Sequence, residues 1–235
     1  MDAAKLRFAR AAVFAQLSGV PDQLRARLTA GPGTPVLLAD REPPDTAVTR
    51  EVVEVARSSY QGPLLGHCLR TWLWADLFGR RDGIKPDEEL LYVACLLHDI
   101  ALTDRHRPPP EAACFAVHGG EVARTTLISL GVDSSYADDV AQAIALHMNV
   151  HVPADQGVEA HLLHAGAHLD VAGTRAGDLP RQAIRDVVAQ HPRDGFPDCF
   201  ATLMRRESAE RPNSRAAILW RLGMSLPLNH NPLDR

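Results

Sequence analysis

The apolar residues of this chain recur at helical spacing in nearly every run, and the alternation of β-branched residues that marks a strand is scarce. That pattern confines the fold to an all-α helical bundle with short connections. A first helix is expected over residues 3–17, with Leu6, Val13, Phe14 and Leu17 toward one face. Residues 31–44 are rich in Pro and Gly and read as a connector, which sets off an N-terminal helical extension (residues 1–45) from a main body (46–235). Residues 46–59 read as helix, broken at Gly62-Pro63. Pro63 suits a first helical turn, and 64–78 continues from it. The acidic start Pro86-Asp87-Glu88-Glu89 complements the macrodipole of a helix running to Ile100. Further helices are expected at 115–130, 135–148, 158–172, 180–190, 197–208 and 214–222, followed by an irregular tail after Leu226.

With 235 residues, 46% hydrophobic and 23% charged, the chain can bury a large core, and a disordered or collagen-like polymer is excluded. Lys and Arg mix with Asp and Glu throughout to a net charge of −4, with no basic block, so no nucleic-acid surface is indicated. The longest uncharged stretch, 140–154, is too short to span a bilayer. Asp2, Lys5, Arg7 and Arg10 interrupt any signal-peptide core. The four Cys form no C-x-x-C pair, against a thiolate zinc site or a disulfide framework. A soluble cytoplasmic protein is expected. The composition is unusual only in its eleven His, the commonest metal ligand.

Some of these His are placed rather than scattered. His98-Asp99 closes the strongly apolar run that begins at Leu90. A buried carboxylate is costly unless it is paired or bound to a metal. Neighbours on a helix point about 100° apart, yet both can ligate an ion lying between their faces when other helices complete the shell. Four more candidates lie on separate expected helices: His67, His118, His147 and Asp170. Bundles build metal sites in this way, from inward side chains on facing helices.

The order His, His-Asp, further His, Asp resembles the HD-domain superfamily of metal-dependent hydrolases over residues 64–173. Within it, the chain is most similar to the cyanamide hydratase-like family. His67-Cys68-Leu69-Arg70 looks like that family's His-Ser-x-Arg segment, and 96–103 (LLHDIALT) like its Leu-His-Asp-Ile-Gly-Leu-Thr run. Residues 115–120 (FAVHGG), 143–147 (AIALH) and 169–173 (LDVAG) are similar to further family segments. Cys68 replaces the usual Ser, Ala116 stands where many relatives have Glu, and His118 adds an imidazole typical of two-metal HD proteins.

The resemblance implies a divalent metal held by His67, His98, Asp99 and Asp170. His118 and His147 then hold a second metal or hydrogen-bond the substrate. Asp99, His118 and His147 are the expected catalytic groups: a metal-activated water attacks an electrophilic carbon such as a nitrile, Asp99 steers the proton, and a His protonates the developing nitrogen anion. Imidazole and carboxylate without thiolate suit zinc, iron or manganese, with zinc expected for one metal and iron or manganese for two. Three alternatives stay open. They are a phosphohydrolase of a nucleotide or other phosphate ester, a di-iron oxygenase, and a metal-stabilised binding domain without activity. The partner is expected to be a small molecule, and a homo-oligomer stays open.

Other features take secondary roles in this reading. Arg70, three residues after His67, and Trp74, one helical step further, are expected to face the substrate, and Arg105 to cover the mouth of the site. The Lys that phosphohydrolase relatives carry soon after His-Asp is absent here, where Ala101, Leu102 and Thr103 follow. His161, His164 and His168 form a stripe at i+3 and i+4 steps, opposite Asp170 on the helical wheel. If Asp170 faces the core, the stripe faces outward or toward another helix. Trp72, Cys68 and Cys95 are expected to serve packing.

Overall fold

The computed structural model describes residues 5–12 and 41–234, and among these every regular element is helical. Residues 5–12 are helical, in keeping with the expected first helix; its remainder and most of the 31–44 connector lie outside the described residues. Helix α1 (Ala47–Ser59) starts in a reciprocal cap: Thr46 Oγ1 accepts from the Thr49 N–H at 3.1 Å, and the Thr46 N–H donates to Thr49 Oγ1 at 2.9 Å. Helix α2 (Gly62–Asp82) carries Pro63 in its first turn and stops at Gly83 in the left-handed region. Helix α3 (Glu88–Leu97) is capped by Asp87, whose carboxylate accepts from the Leu90 N–H at 3.0 Å.

After a single 3-10 turn at Ile100–Leu102 come α4 (Phe115–Ser129), α5 (Ser134–Leu146), α6 (Val158–Ala172), α7 (Arg181–Gln190) and α8 (Phe196–Glu210). The chain closes with α9 (Arg215–Leu219), a π turn at Trp220–Met224 and α10 (Ser225–Asn229). The expected spans thus match element for element until the end. The tail is not irregular: α10 and the 3-10 turn Pro232–Asp234 continue it. It is held because the Asn231 amide donates to Asp170 O at 2.9 Å and Arg193 Nε donates to Asp234 Oδ1 at 2.6 Å.

Helices α2 and α6 form the spine of the bundle, and they approach closely because Gly166 has no side chain. A Cβ there would stand 2.4 Å from Thr71 O. Gly120 permits the same closeness between α4 and α5, where a Cβ would meet Ala141 O at 2.6 Å. Trp72 and Cys95 are buried among this apolar core, and so is Cys68, whose thiol burial pushes well up and out of its reactive range. No described helix is long and apolar enough to cross a membrane.

Candidate metal centre

Two of the site histidines are placed by the same local device. His98 is the C-cap of α3, and its Nδ1–H donates back to Cys95 O at 2.8 Å. His147 is the C-cap of α5, and its Nδ1–H donates to Ile144 O at 2.6 Å. A carbonyl can only accept, so Nδ1 carries the proton in both rings and each Nε2 is left with a bare lone pair. Asp99 leaves the helix (φ −104°, ψ 12°), in the sparsely populated bridge region. With that break its side chain faces the same space as His98.

His67, in the middle of α2, is oriented differently. Its Nδ1–H donates to Asp170 Oδ2 at 2.7 Å, which turns its Nε2 toward Asp99. The three Nε2 atoms converge on Asp99. Oδ2 of Asp99 lies 3.5 Å from Nε2 of both His67 and His98, and Oδ1 lies 3.7 Å from Nε2 of His147. The Nε2 atoms of His67 and His98 are 3.1 Å apart, while Asp99 Oδ2 is buried with no hydrogen-bond partner. The neutral rings of His98 and His147 have no proton to place toward Asp99. Lone pairs facing a carboxylate at this range repel, and a cation relieves the repulsion. The donor atoms of His67, His98 and Asp99 lie within 4.8 Å of one another, a group able to hold a metal ion. Burial pushes the His98 imidazole down and the His147 imidazole well down, so both stay in the neutral form that ligates.

Asp170 does not join that group, and its expected place as a direct ligand is revised. Both of its oxygens are taken: Oδ1 accepts from Arg70 Nε at 2.8 Å and Trp74 Nε1 at 2.9 Å, and Oδ2 from Arg70 Nη2 at 2.9 Å and from His67. Arg193 Nη1 adds a contact to Oδ1 at 3.1 Å. Burial alone would raise this carboxyl, but Arg70, then Arg193 and the His67 hydrogen bond, hold it well below the usual carboxylate range. A carboxylate that grips the far nitrogen of an imidazole fixes its tautomer and ring plane. Phe196 completes the clamp by stacking on the His67 ring at 4.7 Å between centroids, 17° from parallel.

Three further expectations change with Asp170. Arg70 and Trp74 are fully buried supports of that carboxylate, with Arg70 Nη1 also donating to Pro192 O at 2.8 Å; neither lines the open space beside the site. Arg105 is exposed on the loop after the His-Asp turn and does not line that space. His118 is half-buried with Nδ1 3.4 Å from Glu121 Oε2, and it joins neither the ligand group nor the lining. It faces away because α4 presents the glycines at 119 and 120, not His118, to its neighbours α3 and α5: a Cβ on Gly119 would meet His98 O at 3.5 Å.

His67, His98, Asp99 and His147 open onto a cavity of about 880 Å³. The His stripe of α6 lines it too, so α6 holds Asp170 toward α2 on one side and presents His161, His164 and His168 to the cavity on the other. The i+3, i+4 spacing was the visible signal for this wall; what it faced was not. The Nδ1–H of His161 donates to Val152 O at 2.7 Å and that of His164 to His147 O at 3.0 Å. Burial pushes His164 down to about 4. Arg175 is the one Lys or Arg among the described lining residues, and it is committed to Asp82 and Asp178, each at 2.8 Å.

Residues 64–219 match the family model described as HD domain, and the chain belongs to that family. Two curated relatives narrow this class. The cyanamide hydratases DDI2 and DDI3 of Saccharomyces cerevisiae are each 30% identical to it over 176 residues, which is 72% of this chain and 76% of theirs. The chain is therefore a metal-dependent HD-type hydrolase or hydratase, close to the cyanamide hydratase-like family.

Proposed function

We propose that this enzyme hydrates a nitrile-type carbon in a small molecule, with cyanamide as its simplest substrate and urea as the product. His67, His98, His147 and Asp99 would hold one zinc ion. The observation that carries the reading is the arrangement of protons: three buried imidazoles with their Nδ1–H groups turned away, around a carboxylate oxygen that nothing satisfies. A divalent ion in such a site supplies a strong nucleophile at neutral pH by acidifying water.

The rest of the chemistry belongs to the chain. Asp99 is the one acidic residue among the described lining residues. It accepts the proton that the attacking water gives up and returns it to the nitrile nitrogen as the C–O bond forms. Apolar walls exclude bulk water and so strengthen every charge interaction at the site. Asp170, with Arg70 and Trp74 behind it, holds the His67 ring in place.

Two rival readings find less support. A phosphate ester needs cationic partners, and Arg175 is already neutralised by two carboxylates. A two-metal centre needs the sixth ligand that His118 was expected to supply, and His118 lies elsewhere. The test is to incubate the metal-loaded protein with cyanamide and measure urea. Urea formation that stops on chelation and returns with zinc is expected. Phosphate release from phosphate esters without urea formation would contradict the proposal, as would two irons per chain with dioxygen consumption.

A further inference from the structure

The cavity is far larger than the molecule for which the yeast relatives are named. A water takes about 30 Å³ in the liquid, and cyanamide, with three heavy atoms, fills the space of a few waters. A volume of about 880 Å³ lies instead in the range of pockets that enclose drug-sized ligands. The excess space is bounded by apolar side chains: Val171 of α6, and Leu219, Leu222, Met224, Leu226 and Pro227 from the α9–α10 region. Such a wall gains nothing from a small polar substrate and a great deal from an apolar body.

The polar part of the lining is just as selective. With Nδ1–H committed to backbone carbonyls, His161 and His164 have only Nε2 left to offer the cavity, an acceptor in the neutral ring. The His164 ring is fixed against the backbone of His147 and lines the same cavity as the metal centre. It packs on that of His168 at 3.9 Å between centroids, which holds it in place. An acceptor fixed in this cavity asks for a hydrogen-bond donor on the substrate, and a substrate without one leaves the acceptor unsatisfied.

We infer that the substrate class is the N-monosubstituted cyanamides, R–NH–C≡N, with an apolar R group. The nitrile carbon meets the metal centre, the N–H donates to Nε2 of His164 or His161, and R packs on the α6, α9 and α10 wall. One water adds across the nitrile: its oxygen bonds to carbon, its two hydrogens end on the former nitrile nitrogen, and the product is R–NH–CO–NH2. No other reactant is needed. This inference rests on the hydratase reading above and sharpens it.

The test compares cyanamide, benzylcyanamide and N-benzyl-N-methylcyanamide as substrates of the zinc-loaded enzyme, with products separated by chromatography. Calorimetry of urea and benzylurea binding to the same protein supplies a readout independent of turnover. Benzylcyanamide is expected to show at least a tenfold higher kcat/KM than cyanamide, and N-methylation to cost at least tenfold. Benzylurea is expected to bind at least tenfold tighter than urea. In H164F or H161F the penalty for N-methylation is expected to fall below about threefold in at least one variant. Cyanamide turned over as well as benzylcyanamide would overturn the inference and leave the hydratase reading standing. An N-methyl compound as good as its parent would overturn the role of the imidazole acceptors. If none of the three is hydrated, cyanamide included, the hydratase reading itself falls and takes this inference with it.

Discussion

Two buried carboxylates flank the ring of His67, and the protein keeps them in opposite states. On the Nδ1 side, Asp170 receives hydrogen bonds from Arg70, Trp74 and His67 and lies against Arg193. On the Nε2 side, Asp99 has an oxygen that is just as deeply buried and has no donor at all. Burying an ionised carboxylate without partners costs far more than a fold tolerates for nothing. Asp170 is therefore built as a structural anchor, complete in the protein alone. Asp99 is built as an incomplete site, finished by something the chain does not supply. In the reading proposed above, the difference separates the two motif aspartates: the one that is left wanting is the one assigned the chemistry.

That contrast can be broken from either side. Arg70→Leu removes the main partner of Asp170 and strands its charge, so a loss of about 3–5 kcal/mol is expected in chemical denaturation of the metal-free protein. A loss below about 1 kcal/mol would mean that Asp170 is not the anchor described. His147→Ala acts on the other side. Metal affinity is expected to fall more than about 100-fold, beyond the ~10–100-fold that outer partners of a ligand command, with metal-free stability little altered. Competition with a chromogenic chelator measures it, and an unchanged affinity would remove His147 from the proposed ligand set.

Acid sharpens the comparison further. His164, held down to about 4 by burial, binds its proton less readily than in the unfolded chain, where His titrates near ~6.5. Its contribution is complete above about pH 6.5 and declines as the pH falls toward 4, because the unfolded state takes up the proton first. His164's share of the decline is expected to be on the order of 1–2 kcal/mol over that window, allowing for partial exposure. H164F should remove that share, while the part due to His98 and His147 persists. Asp170, held well below the usual carboxylate range, keeps its charge throughout, so the anchor outlasts the cavity wall. The smallest effect is expected from Trp74→Phe, which removes one of several donors to Asp170. A cost of about 1 kcal/mol in stability and an unchanged metal content would fit the account.

Much of this was legible in the sequence, and the part that was not has a physical reason. The helical period gave the bundle, and the ordered His67, His98-Asp99 and His147 gave three helix positions that the fold does bring together. Even the anchor left a trace: residues 67, 70 and 74 fall at i, i+3 and i+7, one face of α2 aimed at one point. What sequence order does not encode is the side of an imidazole a carboxylate approaches, so a ligand and the support of a ligand look alike in a motif. His118 misled for a related reason. Its spacing allowed an inward position, but the close approach of α4 to α5 requires glycine at position 120, and the inward face of α4 is the one that carries Gly119 and Gly120. The cavity wall was the least visible part, because the α6 stripe gains its meaning only from residues some 50 to 60 positions later that close the space opposite it.

The metal content of purified D99A protein, prepared without chelator and measured by plasma mass spectrometry beside the parent, bears on the central claim that the unsatisfied carboxylate is the metal's. The account predicts close to one zinc per chain in the parent and next to none in a variant that remains folded. A full complement of metal in the variant would contradict it.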